Sequence, residues 1–124
     1  MKIAVIEDDF LILKEAFNYL NIVYYENNLD VINFSRTQDI YPFELIYEFD
    51  VVFIDVSLHR KSESDGLSFL KRILNEKKPT KSLPKIGIIT GANNIKERMN
   101  ELEIGDIPIL NKPLDFNDLR KIIG

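Results

Sequence analysis

Four short apolar runs each end in a residue that could do chemistry. Glu7-Asp8-Asp9 follow the first, Asp55 ends a second, Thr90 a third, and Lys112-Pro113 follow a fourth. Asp8 and Asp55, with Glu7 behind them, are like charges. Brought together, they raise one another's pKa or push apart unless a cation joins them. An all-oxygen donor set selects a hard divalent ion, magnesium or manganese. Magnesium keeps several of its waters, so two or three carboxylates and one backbone carbonyl suffice. The carbonyl of Ser57 is in the right loop. The Lys112 ammonium adds a second positive charge, and the Thr90 hydroxyl adds a donor. Metal, ammonium and hydroxyl together cradle the three equatorial oxygens of a phosphoryl group. An aspartate at the centre of that cradle, Asp55, can act as nucleophile and become an acyl phosphate.

The elements that must hold these residues are read from the period of the apolar positions. Ile3–Ile6, Val51–Ile54, Ile86–Ile89 and Ile107–Leu110 are brief apolar runs, the mark of strands buried on both faces. Gly87 interrupts the third and Pro108 shortens the last. Leu29–Phe34, rich in β-branched residues, is a further strand. Between them Leu13, Phe17 and Leu20, then Leu67, Leu70 and Ile73, then Ile95, Met99 and Leu102, recur at helical spacing. Thr37–Phe49 reads as a helix whose first turns Pro42 weakens. Asp115–Ile123 closes the chain as a fifth helix. Asp9 is expected to cap the first helix, since carboxylates favour helix N-termini. Five strands alternating with five helices predict a parallel sheet covered on both faces. In such sheets ligands sit beyond the carboxyl ends of the strands, where Glu7, Asp8, Asp55, Thr90 and Lys112 all fall. The second strand ends near Ser35-Arg36 with nothing comparable to offer.

Composition narrows the classes. At 124 residues, 45% hydrophobic and 29% charged, the chain has the size and balance of one folded domain over 1–124. It has no cysteine, which removes disulfides, thiolate metal sites and cysteine nucleophiles and suits a reducing compartment. Twenty acidic against sixteen basic residues, net −4, leave no electrostatic footprint for nucleic acid. One histidine argues against a histidine metal site or a Ser-His-Asp triad. The apolar runs fall far short of the ~20 residues of a membrane span, and the N-terminal run, which meets acid at Glu7, is shorter than the apolar stretch expected of a signal peptide. The expected location is the cytoplasm.

Taken jointly, these residues resemble the receiver domain of two-component response regulators over essentially the whole chain. Glu7-Asp8 match the family's metal-binding pair, Asp55 its phosphoacceptor and Thr90 its switch hydroxyl. Lys112-Pro113 match its lysine followed by a proline, usually cis, and Asp65-Gly66 its acidic-glycine helix start. The resemblance implies a flavodoxin-like doubly wound sheet of order 2-1-3-4-5 with five helices. It implies magnesium or manganese held by Glu7, Asp8, Asp55 and Ser57, with Asp55, Thr90 and Lys112 as the reacting and switching groups. It implies a sensor histidine kinase or phosphotransfer protein as donor. On the output side it implies a partner protein, a further output domain or a homodimer, with no direct contact to nucleic acid or membrane.

Two features depart from the pattern. Gly66 lies eleven positions after Asp55 where the family has eight, with His59 at the usual proline and a polar stretch Arg60–Ser64 inserted. Ile109 stands where an aromatic ring is common. Both support the alternative of a pseudo-receiver, an interaction module that works without phosphorylation. The intact Asp8, Asp55, Thr90 and Lys112 oppose it. An aspartyl-phosphate hydrolase would need a second aspartate at position 57, which is Ser57. A flavin carrier would need a neutral phosphate loop in place of Glu7-Asp8-Asp9.

Overall fold

The computed structural model describes residues 1–56, 65–76, 82–91 and 95–124. Its elements run β1 (Lys2–Ile6), α1 (Leu11–Tyr24), β2 (Asp30–Phe34), two 3-10 segments (Thr37–Asp39 and Phe43–Glu48), β3 (Val51–Asp55), α2 (Gly66–Asn75), β4 (Lys85–Thr90), α3 (Ile95–Glu101), β5 (Ile109–Asn111) and α4 (Phe116–Ile123). The strands pair in parallel in the order β2-β1-β3-β4-β5, as expected.

The continuous apolar runs follow from this sheet being covered on both sides. Side chains of a strand alternate between faces, so neighbouring residues of one run enter different cores. Ala4, Ile6, Val52, Ile54 and Ile88 pack under Phe43, Ile46, Leu70 and Met99. Ile3, Val5, Val51, Phe53 and Ile89 pack under Phe17, Leu20, Leu119 and Ile123. Thus α1 and α4 cover one face, while α2, α3 and the 3-10 segments cover the other. Gly87 has a packing reason. A Cβ there would lie 2.8 Å from Ile122 Cδ1 and 3.0 Å from Phe53 Cδ1, so a larger residue would make those side chains shift as α4 packs on β4.

Three sequence expectations need correction. The helical layer over Thr37–Phe49 is two 3-10 segments rather than one α-helix. Pro42 lacks an amide hydrogen and restricts the residue before it, so the chain is extended at Ile40 and at Pro42 and restarts at Phe43. The Tyr41–Pro42 peptide is cis. The layer still fills its side of the core, because Ile40, Phe43, Ile46, Tyr47 and Phe49 remain buried. The last strand begins at Ile109, since Pro108 cannot donate; its carbonyl still accepts from the Ile88 N–H at 2.8 Å. Asp9 does not cap α1. The N-cap is Phe10, with no side-chain hydrogen bond. The capping aspartates are Asp65, which accepts from the Ser68 N–H at 2.8 Å, and Asp115, which accepts from the Asn117 N–H at 2.8 Å.

Candidate phosphoryl-acceptor site

The sheet order puts β1 and β3 side by side, with Ile6 paired to Ile54. The residues that follow, Glu7-Asp8 and Asp55, are therefore neighbours at one rim. Carboxylate oxygens of Glu7, Asp8 and Asp55 all lie within 4.8 Å of one another. Glu7 and Asp55 are buried, at 2% and 1% exposure, while Asp8 faces solvent. Lys112 reaches in from beyond β5. Its Nζ donates to Asp55 Oδ2 at 2.8 Å and stands 3.2 Å from Glu7 Oε2. Thr90, the fully buried last residue of β4, sits between these strands. Its carbonyl accepts from the Lys112 N–H at 2.9 Å, so the two backbones are joined. The Lys112–Pro113 peptide is cis.

This geometry shifts the acid–base behaviour. Glu7 is pushed up to about 8. Burial is the main cause, a hydrogen bond with Asp55 adds to it, and the Asp9 N–H, which donates to Glu7 Oε1 at 3.1 Å, only partly opposes it. Burial draws Lys112 down. The hydrogen bond and charge of Asp55, with Glu7 behind, outweigh it and leave the ammonium held above its ordinary value. Glu7 Oε2 is buried and, among the described residues, has no hydrogen-bond partner. Three crowded carboxylates, with the buried Glu7 Oε2 facing the Lys112 ammonium rather than a hydrogen-bond donor of the backbone, are a donor set that fits a hard divalent cation.

The structure thus assembles Glu7, Asp8, Asp55 and Lys112, with Thr90 on the adjoining strand end. The Ser57 carbonyl, His59 and the inserted stretch 60–64 lie outside the described residues. Two contacts behind this rim were not legible in the sequence. Gly66 opens α2 against β3, where a Cβ would come 2.4 Å from the Asp55 carbonyl oxygen and 2.7 Å from Val56 Cα. The pair Asp65-Gly66 was visible; the close approach behind it was not. Asn33, on β2, donates from Nδ2 to the carbonyls of Val5 and Glu7, each at 3.0 Å. A lone asparagine in a strand gives no signal until the register is known.

A parallel five-stranded sheet with this cluster at its carboxyl rim defines a receiver-type domain. The chain belongs to the response regulator receiver domain family, whose model matches residues 3–124. That family works in two-component signalling. The chain is 26% identical over 130 residues to a probable transcriptional regulator, ycf29, of Pyropia yezoensis. The match takes in 99% of this chain and 51% of that protein, so the chain spans about half the length of the curated relative it matches. Among solved structures, it resembles the signal receiver domain of a DNA binding response regulator protein from Colwellia psychrerythraea 34H. The TM-score is 0.76 at 23% identity, over 99% of this chain and 94% of that one. The receiver domain of NtrX from Brucella abortus gives 0.72 at 21% identity, over 98% and 93%. Among the described residues, no helix is long and apolar enough to cross a membrane.

Proposed function

We propose that this domain, taken as one unit over 1–124, accepts a phosphoryl group on Asp55 from a sensor histidine kinase or phosphotransfer protein in the cytoplasm and passes the change to an output partner. The observation that carries this is the position of Asp55. It is a nearly buried carboxylate ending an apolar strand, clustered with two further carboxylates and bonded to an ammonium at 2.8 Å. A simple structural role would not need three acids at that rim.

Asp55 is the nucleophile. One of its oxygens forms the new bond to phosphorus as the bond to the donor's imidazole nitrogen breaks and that nitrogen leaves with the bonding pair. Glu7, Asp8 and Asp55, with the Ser57 carbonyl, are the residues that would hold magnesium or manganese. When bound, the ion neutralises charge on the equatorial phosphoryl oxygens. Lys112 leaves its contact with Asp55 to hold one such oxygen, and Thr90 donates its hydroxyl to another. The backbone bond between Thr90 and Lys112 couples the two responses. Attack of water on phosphorus breaks the bond to the Asp55 oxygen, releases inorganic phosphate and returns the free carboxylate, so turnover is confined to the domain itself.

The test is an intact mass after incubation with magnesium and acetyl phosphate, with Asp55→Ala alongside. One phosphoryl group gained by the wild type alone supports the reading. No gain, with no sign of magnesium binding, sinks it and favours the phosphorylation-independent module.

A further inference from the structure

Asn33 sits on β2 opposite Val5 of β1, two residues before the acidic pair begins. The last rung of the β1–β2 ladder is the bond from the Glu7 N–H to the Phe34 carbonyl, at 3.1 Å. The Glu7 carbonyl lies one step beyond that rung. The Asn33 amide takes it, spanning from the Val5 oxygen to the Glu7 oxygen at 3.0 Å each. Both acceptors are carbonyls, so the group facing them must be the NH2, and its two hydrogens match the two oxygens.

The Glu7 carbonyl belongs to the peptide that links Glu7 to Asp8. Fixing its direction fixes how the chain leaves the sheet and where the exposed Asp8 side chain is aimed. We infer that Asn33 is a positioning residue for the acidic site: it orients the Glu7–Asp8 peptide and so holds Asp8 in register with Glu7 and Asp55. The inference rests on the metal-site reading given above. The residue type is constrained. Alanine has no donor, serine has one, and an aspartate of the same shape would set a carboxylate against two carbonyl oxygens.

The experiment measures magnesium affinity by calorimetry in wild type, Asn33→Ala, Asn33→Asp and Asp50→Ala. Asp50 is the control, because its Oδ2 accepts from the Lys2 N–H at 2.8 Å and clamps the opposite end of β1. Outer groups that orient metal ligands change affinity by roughly ten- to a hundred-fold, so Asn33→Ala is expected to weaken binding at least tenfold and Asp50→Ala to leave it within about twofold. Asn33→Asp discriminates further. By charge alone it would strengthen binding of a cation; by lost positioning it weakens it. Binding by Asn33→Ala within about twofold of wild type, or equal weakening by Asp50→Ala, overturns the inference. A wild type that binds no magnesium overturns the metal reading instead. The metal-free amide spectrum then decides for Asn33: its removal must move the Asp8 resonance more than that of Lys2, and equal shifts overturn the positioning role.

Discussion

The Lys112 ammonium lies 2.8 Å from Asp55 Oδ2, although 57 positions separate the two residues in the chain. The contact closes because β4 stands between β3 and β5 and Lys112 is tied by its backbone to Thr90. The ammonium is the resident counter-ion of Asp55 and Glu7, in direct competition with any metal that enters. Lys112→Met should therefore raise magnesium affinity about threefold or more, since a positive charge a few ångströms away is removed. It should also slow labelling of Asp55 by acetyl phosphate by roughly a hundredfold, the scale of losing one preorganised donor to developing charge. Calorimetry and a mass time course read the two effects separately. A fall in both would mean that the ammonium organises the carboxylates rather than competing for them.

Glu7 makes stability depend on pH. Its folded value of about 8 lies above the ordinary 4.5, so the metal-free fold binds this proton more tightly than the unfolded chain does. The corresponding stability is complete below 4.5 and is lost as pH rises towards 8. Magnesium must displace the same proton. Its stabilising effect should therefore grow with pH and level off above about 8. Melting curves with and without magnesium between pH 5.5 and 9 check the sign. An increment independent of pH would show that Glu7 is already ionised.

Gly66 should not tolerate a methyl group. A Cβ at 2.4 Å from the Asp55 carbonyl oxygen forces α2 and β3 apart. Gly66→Ala is expected to cost about 1–3 kcal/mol, as overpacking does, and to weaken magnesium binding. Gly105→Ala is the contrast, because nothing lies within 4 Å of its Cβ position. Urea denaturation of both variants, with a magnesium titration, tests the pair. Equal stability would mean that the first turn of α2 can shift without disturbing Asp55.

Tyr47 closes the other end of α2. Its hydroxyl donates to the Ile73 carbonyl at 2.7 Å, one of the last-turn carbonyls that a helix leaves unpaired. Burial pushes the phenol above its ordinary 10, the charge of Glu76 adding to this and that of Arg72 opposing it. The fold thus favours the protonated phenol, and this contribution is complete below 10 and fades at higher pH. Tyr47→Phe should cost about 0.5–1.5 kcal/mol at neutral pH, the net worth of one hydrogen bond, and should flatten the alkaline loss of stability. Denaturant midpoints at pH 7.5 and 10.5 read both effects.

Much of the architecture was legible because burial on two faces writes itself as uninterrupted apolar runs. Ile3–Ile6 and Val51–Ile54 are read as strands without knowing their neighbours, and the residues after them are then located at once. Local chemistry misled where two rules competed. Pro42 divided a periodic stretch into two 3-10 segments, and a carboxylate well placed to cap α1 gave way to Phe10. Contacts made across strands were hidden for a different reason. The bridging of Val5 and Glu7 by Asn33, and the approach of Gly66 to Asp55, depend on register and interlayer distance, which no single segment encodes.

The brevity of β5 has a consequence outside signalling. A sheet edge is a template on which another extended chain can grow. Here that edge offers three residues, Ile109–Asn111, with Pro108 just before them and Pro113 two places after. Neither proline has an amide hydrogen to give. The chain turns out of the sheet in time to deliver Lys112 to Asp55. By the same turn it leaves this border too short to seed fibrous self-assembly.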